Sequence, residues 1–145
     1  MSPAWGAAHP LFHLTVKLDQ DFINYPWSQA QWLETFTPSF AVFHWPQGST
    51  LQGFALYQLS PLEKLAHLLK IAVVPQVRGQ GVAQKFWELQ ITTLRTQGFE
   101  RIYLEVATNN PAAAGFYRKM GCKMLREVKG FYKDGQNAWT MELAI

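Results

Sequence analysis

Residues 65–108 read LAHLLKIAVV, then PQVRGQGVAQKFWELQITTLRTQGFE, then RIYLEVAT, and their order decides the fold. Periodicity alone leaves residues 65–74 open between helix and strand. The β-branched end at Val73 and Val74 and the stop at Pro75 favour a long strand. From Gly81 to Gln97 the apolar positions Val82, Phe86, Leu89 and Leu94 recur at helical spacing, and Gly98 closes that helix as a C-terminal cap. Residues 101–108 then form a strand with Ile102, Leu104 and Val106 on its core face, so Glu105 points to the opposite face. Strand, long helix, strand is a crossover unit, which places its two strands adjacent and parallel.

The flanks supply antiparallel material. Residues 11–17, LFHLTVK, alternate apolar and polar positions and read as a strand. Ser28 with Gln31 three positions on has capping-box spacing and opens a short helix. Residues 39–45 and 51–59 read as an antiparallel hairpin joined by a turn containing Pro46, Gln47 and Gly48. After the crossover, Asn110 is an N-cap, Pro111 occupies the first helical turn and Gly121 lies past the end of that helix. Two more strands, CKMLREV and NAWTMELAI, complete the chain around a loop holding Asp134 and Gly135. The expected architecture is an α/β fold: a mixed, twisted sheet with helices on both faces.

The chain of 145 residues has the size of one domain, so residues 1–145 are read as a single unit. Hydrophobic residues at 48%, with 6 Trp, 10 Phe and 5 Tyr, supply one sizeable core and exclude a disordered chain. Thirteen Lys and Arg against 10 Asp and Glu give +3, with no basic run of the kind that reads nucleic acid. The balance suits a small anionic ligand. A lone cysteine, Cys122, excludes an internal disulfide framework and a multi-cysteine zinc site; following a helix-ending glycine, it reads as a buried, inert thiol. His9, His13, His44 and His67 show no metal-ligand spacing and read as surface or core residues, so no metal is expected. With no apolar run near 18 residues and no signal-peptide start, the expectation is a cytoplasmic protein that does not enter membranes.

The chemistry-bearing stretch is residues 73–86, VVPQVRGQGVAQKF. Glycines between a strand end and a helix start let the backbone approach a ligand closely and aim several N–H groups at one place. With the positive end of the helix dipole, they form a site for phosphates. Arg78 adds a permanent cation. No Gly-Lys-Ser/Thr follows, so this is not a Walker loop, and the dinucleotide pattern G-x-G-x-x-G is not met.

Arg78, Gly81 and Ala83 meet the pattern R/Q-x-x-G-x-G/A, and the segment resembles motif A of the GNAT acetyltransferases. The likeness continues through YLEVATNNPAAAGFYRKMGC, residues 103–122, through KIAVVP, the YPWS segment and the final GFYKDGQNAWTMEL. Within the family it is similar to the RimI-type branch, the N-terminal alanine acetyltransferases of ribosomal proteins. The resemblance implies the GNAT fold, a mostly antiparallel mixed sheet with two splayed central parallel strands, and acetyl-CoA as cosubstrate. It implies that Gly79, Gln80, Gly81, Val82, Ala83 and Gln84, beside Arg78, hold the pyrophosphate. Through their backbone, Ile71, Ala72 and Val73 would bond the pantetheine arm and polarise the thioester. Asn110 would bond the cosubstrate and cap its helix at once. Glu105 takes the place of the family's general base, working through water or made more basic by burial, and Tyr117 that of the acid that protonates the thiolate. Trp27 and Tyr132 fall near the acceptor entrance, while Trp32, Trp45 and Trp139 suit core packing.

Departures from the branch are Ala107 for its arginine, Asn109 for its serine, Cys122 for its phenylalanine and a first helix that reads as shortened. They leave the cosubstrate site intact and the acceptor open. The expected partner is an amine, first of all a protein N-terminus such as that of a ribosomal protein. An α-amine, with an ordinary pKa of about 7.7–8.0 against about 10.4 for lysine, is the easier amine to deprotonate. The alternatives are a GNAT enzyme of small amines, amino acids or lysine side chains, and a non-catalytic acyl-CoA-binding module. Either a monomer or a homodimer is compatible with the sequence.

Overall fold

The computed structural model describes residues 4–46 and 50–145. Its elements are α1 (Phe12–Phe22), α2 (Gln29–Leu33), β1 (Phe40–Trp45), β2 (Gly53–Ser60), β3 (Leu65–Val73), α3 (Val82–Thr96), β4 (Arg101–Ala107), α4 (Pro111–Lys119), β5 (Lys123–Val128) and β6 (Ala138–Ala144). The six strands form one sheet in the order β1-β2-β3-β4-β6-β5. All neighbours are antiparallel except β3 and β4, the crossover pair. Gln47 and Gly48 of the expected hairpin turn lie outside the described residues.

One expectation fails. Residues 11–17 are not a strand but the start of α1, an 11-residue helix, so the first helix is not shortened. The alternation over seven positions was accidental. Over the longer span Phe12, Thr15, Leu18 and Asp19 are buried at steps of three and four, a helical stripe. Thr15 also turns its hydroxyl back onto the Leu11 carbonyl at 2.6 Å, a bond that hides a polar group inside a helix.

Both faces of the sheet are covered. Ala55 and Tyr57 of β2 join Ala66, Leu68, Ile102 and Leu104 under α3 and α4, against Phe86, Trp87 and Leu94. The alternate residues Phe54 and Leu56 join Ala72 under α1 and α2, against Phe12, Leu18 and Trp32. Trp45 and Trp139 pack on the first core. Ser28 and Gln31 form the capping box that the spacing predicts.

Two irregularities shape the site. β3 and β4 pair only from Leu65↔Arg101 to Leu68↔Leu104, and beyond that the strands separate. At the same place the β2–β3 register shifts: Leu56 faces Lys70 and Tyr57 faces Leu68, leaving Leu69 as the extra residue of a bulge. A bulge exchanges the faces of everything after it. Ala66 and Leu68 point to α3 and α4, whereas past the bulge Ile71 and Val73 do so and Ala72 packs toward α1.

Candidate active site

A cleft of about 700 Å³ opens where β3 and β4 part. Among its lining residues are Ile71 on one wall, Glu105 on the other, and Asn110 and Tyr117 from α4, with Trp27 and Tyr132 at the opposite end. These predicted residues come from five separate segments. Glu105 does point away from buried Leu104 and Val106, into this cleft.

Glu105 is not alone there. The Nε2 of His67 lies 2.7 Å from its Oε2, with side chains 29% and 13% exposed. An ionised carboxylate only accepts, so the ring N–H donates. Tyr103 meets the His67 ring edge-on, centroids 5.1 Å apart. Sequence reasoning had set His67 aside with the other histidines. The signal was its place opposite Tyr103 on a parallel strand, two positions before Glu105, and only the register discloses it.

Tyr117, two turns along α4, is 6% exposed. Burial holds its phenol well above the ordinary value, so the group stays protonated. Trp87 packs against it, centroids 5.7 Å apart. Asn110 accepts from the Ala113 N–H at 3.2 Å while lining the cleft, so its capping role leaves it at the site. Cys122 is buried, and burial pushes its thiol up to about 11.

At the other end of β3 a second hollow of about 240 Å³ is lined by Val73, Arg78, Gly79, Gly81, Val82, Ala83 and Gln84, with Phe116, Lys119 and Met120 of α4. Gly79 and Gly81 have φ of +80° and +76°, which a side chain adopts only under strain, and nothing stands within 4 Å where a Cβ would be. Gly81 caps α3 without a side-chain bond, and the first amide to bond back is Lys85 to the Gly81 carbonyl. The amides of residues 79 and 81–84, which border the hollow, make no backbone hydrogen bond there and so are available to a phosphate. Lys119 adds a cation opposite Arg78 that the motif did not disclose. Gln80 turns aside to the Gln76 carbonyl, 3.2 Å away, and Ala72 is packed beneath the sheet. For these two only the backbone remains available to a ligand.

The end of the cleft that holds Trp27 and Tyr132 is built from the α1–α2 link, residues 23–28, and the β5–β6 loop. Tyr25 stacks on Tyr132, centroids 4.4 Å apart and planes 6° from parallel, and its hydroxyl donates to Asp134 at 2.9 and 3.0 Å. Burial, then the negative Glu105, push Tyr132 up to about 12. Beneath the link, Lys70 donates to Asp19 at 2.8 Å and to the Tyr25 carbonyl at 2.8 Å, with its ammonium 4.9 Å from the Trp27 ring centre. Asp19 also accepts from the Trp27 N–H at 2.7 Å and the Trp32 indole at 3.0 Å. Lys70 and Asp19 are 4% and 0% exposed, and losing either partner strands a buried charge at about 3–5 kcal/mol.

A sheet splayed at its parallel pair, a glycine turn at one end of the gap and a carboxylate with a buried phenol in its middle define an acyltransferase of the GNAT kind. Residues 8–122 match the acetyltransferase (GNAT) family, and the chain belongs to that family, whose members use acetyl-CoA. It is 34% identical over 91 residues to an N-alpha-acetyltransferase of Saccharolobus solfataricus, covering 61% of this chain and 54% of that protein. The match thus spans about half the length of the archaeal relative. Over 131 residues it is 30% identical to the [ribosomal protein bS18]-alanine N-acetyltransferase of Escherichia coli, covering 88% of this chain and 87% of that one. The crystal structure of the ribosomal-protein-S18-alanine N-acetyltransferase from Escherichia coli superposes with a TM-score of 0.83 at 25% identity, over 99% of this chain and 92% of that one. Among the described residues, no helix is long and apolar enough to cross a membrane.

Proposed function

We propose that residues 1–145 act as one catalytic domain, a cytoplasmic acetyl-CoA-dependent N-acetyltransferase of protein N-termini, with ribosomal-protein alanine as the first acceptor to test. The observation that carries this reading is the Glu105–His67 pair, set in the same cleft as Tyr117 and the Tyr25–Tyr132 stack, with the glycine-turn hollow at the far end of β3. Acetyl-CoA supplies an activated acetyl group when bound. The amides from Gly79 to Gln84, with Arg78 and Lys119, suit its diphosphate. From Ile71 to Val73, β3 pairs with β2 alone, so its other edge is free to bond the pantetheine arm and to polarise the thioester oxygen.

Glu105 takes the proton that the α-amine must lose, directly or through a water, and the His67 N–H steadies the carboxylate that receives it. The amine nitrogen then bonds the acetyl carbon as the carbon–sulfur bond breaks. Tyr117, held protonated by burial, gives the departing sulfur its proton. Transfer is direct, without an acyl-enzyme, since the only thiol in the chain, Cys122, is buried with a raised pKa.

Mass spectrometry of N-terminal peptides after incubation with acetyl-CoA tests the reading. A peptide with N-terminal alanine is expected to gain one acetyl group on its α-amine; unmodified peptides beside an acetylated small amine would overturn the acceptor assignment. Replacing Tyr117 by Phe should lower turnover about tenfold or more while coenzyme A affinity changes little. Equal loss of both would mark an acyl-CoA-binding module instead.

A further inference from the structure

A lysine in the middle of an apolar strand requires a reason, and the β3 bulge shows where Lys70 goes. Without the extra residue Leu69, the side chain of Lys70 would fall among the apolar residues under α3 and α4. With it, the ammonium turns to the opposite layer and meets Asp19 of α1 and the backbone of the α1–α2 link. The link carries no regular secondary structure over most of its length, yet it forms one wall of the acceptor end. Ile23 and Trp27 pack on the second core, and two polar contacts fix the backbone between them: Lys70 on the Tyr25 carbonyl, and Asp19 on the Trp27 N–H. The same Tyr25 then reaches across to Tyr132 and Asp134 with its side chain. Tyr25 is therefore pinned at its backbone from below and at its ring from across the cleft.

We propose that Lys70 is a positioning residue for the acceptor: its bond to the Tyr25 carbonyl fixes the wall against which the incoming amine-bearing chain is oriented, while the acetyl-CoA half of the site is independent of it. The acceptor part of this proposal rests on the N-terminal acetylation reading above. A desolvated lysine is strongly held only where its partners are fixed, so the pair makes the link rigid before the acceptor arrives.

The single variant K70M strands Asp19 and is expected to lose stability for that reason alone. The informative protein is the double variant K70M/D19N. It has no stranded charge, keeps an oxygen for the Trp27 and Trp32 N–H groups, and loses the tether on Tyr25 together with the ammonium over the Trp27 ring. The expected result has three parts. Coenzyme A binding by calorimetry stays as in the wild type. Amide hydrogen exchange speeds up in residues 23–28 and not in residues 78–84. KM for an N-terminal alanine peptide rises about tenfold with kcat within a few-fold, the pattern of lost substrate binding. Unchanged exchange in residues 23–28, or an unchanged KM, overturns the proposal and leaves the pair a matter of core packing. If the wild type acetylates no peptide while exchange in residues 23–28 still responds, the tether stands and the peptide reading falls.

Discussion

On one face of the sheet, α3 and α4 cover a core that is almost wholly apolar, with Gln90 and its partner Tyr57 the principal polar pair. On the other, α1 and α2 cover a core threaded with buried polar groups: Thr15, Asp19, Thr35, His44 and Lys70. The first face carries the glycine turn and Tyr117, the second the α1–α2 link that walls the other end of the cleft. The difference follows from what each side handles. On the proposed reading coenzyme A meets main-chain amides and a helix end, which local sequence suffices to place. The acceptor wall is an irregular loop, and an irregular loop is held by hydrogen bonds to distant groups because it has no ladder of its own.

The strongest way to break this comparison is at the seam. Glu105→Gln keeps the shape of the pair with His67 and removes the proton acceptor, so kcat should fall about 100-fold or more while coenzyme A affinity is unchanged. A fall in both would mean that the two halves are not separable there.

Acid should distinguish the faces next. His44 is 8% exposed, its Nε2 3.0 Å from the Thr15 hydroxyl, and burial, then neighbouring His9, lower its pKa from 6.5 to about 4. The unfolded chain therefore binds the extra proton first as pH falls below 6.5. The stability that neutral His44 contributes is full above that pH and is lost on the way down to about 4, about 3 kcal/mol in all. Urea midpoints measured across this range should fall less steeply in His44→Gln than in the wild type; identical slopes would mean that His44 does not govern the acid response.

On the other side, Gly81→Ala forces a left-handed backbone on a residue with a Cβ, at about 1–2 kcal/mol. Calorimetry should show coenzyme A binding weakened about tenfold, with the acceptor KM unmoved. A shift in acceptor KM of the same size would tie the two halves together.

Legibility in the sequence divides along the same line. The crossover, the Gly98 and Gly121 stops, the Asn110 cap and the glycine turn were readable because each is set within a few residues. The face occupied by Glu105 was readable from Leu104 and Val106 beside it. Residues 11–17 were misread because a helix that buries one stripe and a strand that alternates give the same pattern over so short a window. His67, read as a surface or core histidine, and Lys119 and Tyr25, given no site role, carry no local signal because nothing near them in the chain distinguishes them. Their partners lie 38 positions on for His67 and 109 for Tyr25.

By itself the sequence determined the order of strands and helices from residue 28 onward, the parallel pair and the glycine bend, all consequences of periodicity, glycine conformation and helix caps. Where the parallel strands part, which way Lys70 turns and which histidine meets Glu105 were decided only by the tertiary structure. Each depends on the register between strands, and a shift of one residue there sends a side chain to the opposite side of the sheet.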